Sequence, residues 1–92
     1  MSDKYNVLIN GASGFVGLEL IKLLSNHKFI SLKYLCSRGS IGKSINSFLK
    51  SAEGKKILNN TPVVTINGSR NMWFMAQEKI KILLKEANAV SI

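Results

Sequence analysis

A chain of 92 residues with 46% apolar content makes one small folded domain with a modest core, because a short chain leaves much of its surface in water. A single cysteine, Cys36, and a single histidine, His27, exclude an internal disulfide framework and a typical structural zinc site; with no apolar run of about 18 residues and no leader-like start, a cytoplasmic location without membrane or metal is expected. The net charge of +8 attracts phosphates of some kind, but it is spread as +5 on residues 1–50 (7 basic, 2 acidic) and +3 on residues 51–92 (6 basic, 3 acidic); without a basic stripe interleaved with aromatics, nucleic acid is not an expected partner.

In chain order, Tyr5 to Asn10 is a short apolar run with Val7, Leu8 and Ile9 adjacent, the pattern of a strand buried on both faces. Three glycines interrupt it, and from Gly14 the period changes. Gly17, Leu20, Ile21 and Leu24 fall at i, i+3, i+4 and i+7, which predicts a helix over 14–26 with Ser13 as its N-cap. A second strand follows at 29–36, with Ile30, Leu32, Tyr34 and Cys36 expected on one side and Ser31 and Lys33 on the other. The stretch SRGSIGKS at 37–44 reads as a loop, and residues 45–60 as a short helix or an irregular link. Pro62 opens a third strand candidate, PVVTIN. A long amphipathic helix is expected from about Asn71 to Glu86, with Ala76, Ile80, Leu83, Leu84 and Ala87 as its apolar stripe, and AVSI begins a fourth strand. Strands alternating with helices predict an α/β fold, a mostly parallel sheet of three or four strands covered by helices.

The glycines carry the chemistry. Gly11, Gly14 and Gly17 form G-x-x-G-x-x-G between a strand and a helix. In that context the first glycine permits a tight turn, the second lets backbone approach a pyrophosphate, and the third lets the helix pack closely. The N–H groups opening the helix then receive the anion, aided by the helix dipole. The candidate cofactor-binding residues are therefore Gly11, Ala12, Ser13, Gly14, Phe15, Val16 and Gly17, in a small Rossmann-like three-layer sandwich. NAD-preferring sites place an acidic residue at the end of the second strand, about 20 residues on, to hold the ribose hydroxyls. Here Ser37 and Arg38 take that place, and a hydroxyl beside a guanidinium suits the 2′-phosphate of NADP. The alternative for Arg38 is a solvated loop cation. Lys43 either adds charge to the same pocket or stands in water.

The stretch GASGFVGLELIKLLSNHKFISLKYLCSRGSIGKSI, residues 11–45, resembles the start of N-acetyl-gamma-glutamyl-phosphate reductases, whose pattern is close to G-A-S-G-Y-x-G-x-E-L, a helix ending in N-H, a strand, then S-R-S-x-G-K. Glu19 and Leu20, Asn26 and His27, Ser37 and Arg38, and Gly42 and Lys43 carry the match. The resemblance implies an NADPH-dependent reductase of arginine biosynthesis that converts an acyl phosphate to a semialdehyde through a cysteine thioester. Aspartate-semialdehyde dehydrogenases are similar in the cofactor half but fit GASGF and NH less well. Extended short-chain epimerases share G-A-S-G-F-x-G, yet their Tyr-x-x-x-Lys pair is missing, since Ile9 follows Tyr5 and Arg38 follows Tyr34 at that spacing.

The resemblance also implies a nucleophilic cysteine in an S-N-P-G-C-Y-like turn and a later histidine, and neither motif is present. Cys36 is expected to be a packing residue and His27 a capping or surface residue, so no catalytic residue is assigned. Beyond Lys50 the agreement fades. In place of a strand ending in an A-L-P-H-G-like loop stands PVVTINGSRNMWFMAQEKIKILLKEANA, which is similar to a segment of flavodoxin-like dialkylresorcinol condensing enzymes. Met72, Trp73, Phe74 and Met75 then read as a flavin-facing cluster or as a helix N-terminus packed on the sheet, and Arg70 as a phosphate contact or a solvated cation. The expectation is a single truncated NAD(P)-binding domain over 1–92 with a junction near 50–60, binding NADP and lacking the catalytic part. Its alternatives are an aspartate-semialdehyde dehydrogenase-type cofactor domain or a non-catalytic α/β module from a gene fusion. An unpaired sheet edge offers a route to self-association.

Overall fold

The computed structural model describes residues 4–25, 27–51 and 72–92. Among these residues, four strands and three α-helices run in the order β1 (Tyr5–Asn10), α1 (Phe15–Leu24), β2 (Ile30–Ser37), α2 (Ile45–Lys50), β3 (Phe74–Ala76), a 3-10 turn (Gln77–Lys79), α3 (Ile80–Ala87) and β4 (Val90–Ser91). The strand expected at PVVTIN, the role of Arg70, and the junction near 50–60 apart from Lys50 and Ser51 lie outside the described residues.

The strands form one sheet in the order β3-β2-β1-β4, every pair parallel. The chain winds outward from β1 to β3 and then returns to the far side of β1, so the direction of winding reverses there. In open α/β sheets this reversal, at the carboxyl ends of the strands, is where ligands sit.

Apolar side chains cover both faces of the sheet, giving three layers. On one face Val7, Ile9, Leu32, Leu35 and Phe74 pack against Leu18 and Ile21 of α1 and Ile45 and Phe48 of α2. Phe48 and Phe74 meet edge to face at 5.4 Å, a favoured aromatic geometry. On the other face Leu8, Cys36 and Leu83 form a smaller cluster, flanked by Tyr34, Met75, Ile80 and Leu84. Sheets covered on both faces carry runs of apolar residues rather than clean alternation, as Val7, Leu8 and Ile9 do here.

Two expectations are corrected. The alternation read along β2 breaks in mid-strand. Val7 stands opposite Leu32 but Leu8 stands opposite Tyr34, leaving Lys33 without a partner on β1. This bulge shifts the side-chain parity, so Ile30, Leu32 and Leu35 pack on the α1 side, whereas Tyr34 and Cys36 pack on the α3 side. The second correction concerns residues 72–79, which do not open a helix. Phe74, Met75 and Ala76 pair with Leu35, Cys36 and Ser37 as β3, and α3 starts only at Ile80. Aromatic side chains fit a buried strand well, and the edge of β2 offers these backbone groups a ladder that an isolated helical turn lacks. Met72 to Met75 therefore belong to a strand and its approach, not to a helix N-terminus: Met72 and Phe74 pack in the larger core cluster, Met75 flanks the smaller one and Trp73 is exposed.

The link after β2 folds back to cover the outer side of β3. Gly42 N–H donates to the Phe74 carbonyl at 2.9 Å, Phe74 N–H to the Lys43 carbonyl at 2.9 Å, and Ile45 N–H to the Met72 carbonyl at 2.7 Å. Ser44 then caps α2, its Oγ accepting from Ser47 N–H at 3.0 Å. At the opposite side of the sheet, α3 is C-capped by Asn88 in a left-handed conformation (φ 50°), and Asn6 Nδ2 donates to the Ala87 carbonyl at 2.8 Å. That bond ties the helix end to β1 and satisfies a terminal carbonyl. β4 follows as the outermost strand on that side, with Val90 exposed.

Candidate functional site

Because all four strands are parallel, their carboxyl ends share one rim. Asn10 and Gly11, Ser37 and Arg38, and Ala76 and Gln77 gather there from three separate parts of the chain.

The turn after β1 is built on backbone hydrogen bonds. Gly11 has φ +75°, a left-handed conformation that side chains disfavour. Gly14 N–H donates to the Gly11 carbonyl at 3.0 Å, and Ala12 N–H donates across to the Cys36 carbonyl at 2.8 Å, anchoring the turn to β2. The helix begins at Phe15, with Gly14 rather than Ser13 as its N-cap and no side-chain cap bond. An extended residue without a side chain opens the helix, so its first N–H groups are left for solvent or a ligand.

The three glycines meet different constraints. A Cβ on Gly17 would lie 2.2 Å from the Gly11 carbonyl oxygen and 2.6 Å from Ala12 Cα, so only glycine lets α1 sit against the turn. On Gly14 a Cβ would meet only the Gly11 oxygen, at 3.4 Å, which is ordinary contact. The protein's own packing does not require glycine at that position. What the bare backbone leaves is room beside the helix N-terminus, which fits an incoming phosphate. Phe15 and Val16 stand exposed on the first turn, and Ala12 is buried.

Ser37 and Arg38 do different work from one another. Ser37 is fully buried, and its Oγ accepts from Ser40 N–H at 2.9 Å. The hydroxyl shapes the turn that follows β2. Arg38 is exposed on that turn, as is Lys43 farther along it. The loop is held at both ends, by Ser37 and by the Gly42–Phe74 bond, which places the guanidinium on a fixed stem. At the third strand end, Ala76 passes directly into the turn at Gln77, whose Nε2 donates to Asn10 Oδ1. Nothing in the hydropathy pattern marks this pair, because Gln77 reads as the wet face of a longer helix.

The single cysteine and the single histidine lie at opposite ends of β2. Cys36 is buried beside Leu8 and Leu83, and burial pushes its thiol up from the ordinary value. His27 precedes the strand, exposed, with Nδ1 accepting from Phe29 N–H at 3.1 Å. An eight-residue strand keeps them roughly 20 Å apart, so they do not form a nucleophile–base pair. Since the neutral thiol is the buried form, Cys36 is expected to react with a disulfide reagent at pH 8 more slowly than a free thiol by at least about a hundredfold. A stopped-flow or spectrophotometric time course, with the urea-unfolded chain as reference, checks this. The same shift makes stability fully present below the unfolded thiol value and lost as pH rises toward the folded one.

Comparison with known proteins agrees with this geometry. The family model described as "Semialdehyde dehydrogenase, NAD binding domain" matches residues 6–84. The N-acetyl-gamma-glutamyl-phosphate reductase of Ehrlichia chaffeensis is 45% identical over 47 residues, which is 51% of this chain and 14% of that protein. The enzyme of the same name from Pseudothermotoga lettingae is 34% identical over 73 residues, 79% of this chain and 21% of the relative. A third, from a Picosynechococcus species, is 48% identical over 42 residues, 46% of this chain and 12% of the relative. These alignments span about an eighth to a fifth of the relatives' length. No solved structure matches. Among the described residues no helix is long and apolar enough to cross a membrane. A parallel four-stranded sheet, a glycine turn opening onto an uncapped helix, and a family match over 6–84 identify a dinucleotide-binding unit: the chain belongs to the family of semialdehyde dehydrogenase NAD-binding domains.

Proposed function

We propose that the chain binds NADP(H) as the cofactor segment of an N-acetyl-gamma-glutamyl-phosphate reductase, with residues 1–92 acting as one unit. The observation that carries this reading is the Gly14 position, where the chain's own packing leaves space beside an uncapped helix N-terminus. The pyrophosphate rests on the turn from Gly11 to Gly17, with Ala12 and Ser13 supplying backbone and Phe15 and Val16 the first helical N–H groups. Arg38 faces the 2′-phosphate from the end of β2, where an NAD site would carry a carboxylate. Ser37 contributes by fixing the turn on which Arg38 stands. When bound, the nicotinamide supplies hydride. The acyl substrate and its thioester chemistry belong to a catalytic part for which these residues provide no cysteine–histidine pair.

Calorimetric titration of the purified chain with NADPH and NADH tests the reading. Binding of NADPH in preference to NADH is expected, with a thermal midpoint that rises with ligand concentration, since a ligand bound only by the folded state stabilises it. Absence of binding to either at millimolar concentration would overturn it.

A further inference from the structure

We propose that the side-chain bond between Gln77 and Asn10 is a clasp that positions the glycine turn for the dinucleotide, an inference that rests on the cofactor reading above. Gln77 Nε2 donates to Asn10 Oδ1 although the two residues are 67 positions apart. Asn10 is the last residue of β1 and stands directly before Gly11, whose φ of +75° turns the chain toward α1. Gln77 is the first residue after β3, at the start of the turn that leads into α3. β2 lies between these two strands in the sheet, so the bond reaches over the carboxyl end of β2.

Its side of the sheet follows from parity. Asn10 stands opposite Cys36, and Met75 stands opposite Cys36 from the other direction. Leu8, Cys36 and Met75 all pack on the α3 side. Asn10 and Gln77, two residues beyond Leu8 and Met75, continue that side to the rim. The bond therefore closes the rim on the α3 side, while the uncapped N-terminus of α1 opens on the same rim.

Stability of the fold gives no reason for the pair. Asn10 is exposed, and a hydrogen bond in water contributes little. The α3 element is already held by Leu83 in the core and by Asn6 on the Ala87 carbonyl. What the bond restrains is the corner that presents N–H groups to the phosphates. Affinity for a rigid polyanion depends on how much ordering of that corner remains to be done on binding. The pair also keeps amide N–H donors beside the phosphate path, since only one of the Gln77 protons is used by Asn10.

The test is a double-mutant cycle on the full chain with Asn10→Ala, Gln77→Ala and the double variant. Dissociation constants for NADPH and for adenosine 2′,5′-bisphosphate are measured beside the thermal midpoint of each ligand-free protein. Each single variant is expected to bind about fivefold more weakly, the double variant no more weakly than either single one, and the midpoints to stay within about 2 °C. Unchanged affinity, losses that multiply in the double variant, or a midpoint drop that accounts for the weaker binding would each overturn the clasp. If the unsubstituted chain binds neither ligand, it is the cofactor reading that fails, and the cycle distinguishes this from failure of the clasp alone.

Discussion

Gly17→Ala is expected to destabilise the ligand-free protein by about 3 kcal/mol or more, because the added methyl carbon must displace backbone rather than a flexible side chain. At 2.2 Å from the Gly11 oxygen and 2.9 Å from the Ala12 carbonyl carbon, it pushes α1 off the turn. Gly17, Leu18 and Ile21 are the buried residues of that helix, so the displacement also opens the core. For a domain of this size the shift amounts to roughly 12–24 °C in thermal midpoint, or to loss of folding where total stability is at the low end of the usual range. Gly14→Ala is the control. Its Cβ meets one oxygen at 3.4 Å, and φ is −83°, so the midpoint is expected to move by no more than about 4 °C in either direction, less than 1 kcal/mol. NADPH affinity should fall at least tenfold, because the methyl group takes the space left for phosphate. Scanning calorimetry and NADPH titration on the two variants separate the roles. Equal effects on stability would show that the two glycines serve packing alike.

Arg38→Ala is expected to weaken NADPH binding by about 10- to 100-fold while leaving NADH affinity within about twofold, the size of a charge-assisted hydrogen bond to phosphate. Arg38 is exposed, so the folded state should be unaffected, and salt should weaken NADPH binding to the parent more than to the variant. Titrating both cofactors at two ionic strengths checks all of this. A parallel loss for NADH would place the guanidinium on the pyrophosphate instead. Arg38→Lys should recover only part of the affinity, because an ammonium cannot make the two-pronged contact of a guanidinium.

The segment from Tyr5 to Leu24 was legible because its signals are local. A doubly buried strand reads as an apolar run, a glycine triplet as a turn, and a 3.6-residue period as a helix, and all three stand where expected within two residues. Arg38 at the end of β2 was legible for the same reason, as a matter of counting along the chain. The N-cap was not, because Ser13 and Gly14 are both competent by type, and the choice falls to the geometry of the turn.

The remaining features depend on partners distant in sequence. The bulge at Lys33 exists only in register with Val7 and Leu8, so an alternating pattern read along β2 alone assigns half its side chains to the wrong face. Phe74 to Ala76 carry a helix-compatible pattern, and it is the free edge of β2 that makes them a strand. Ser37 carries a hydroxyl suited to a phosphate, yet burial turns it toward Ser40. Sequence by itself determined the glycine turn between strand and helix, the α/β class and the place of Arg38 just after β2, because each is written in a few neighbouring residues. Tertiary structure alone decided which face each β2 side chain takes and that Phe74 to Ala76 pair as a strand, and it alone brought Asn10 and Gln77 together, because those facts lie in distances between segments that meet only when the sheet has formed.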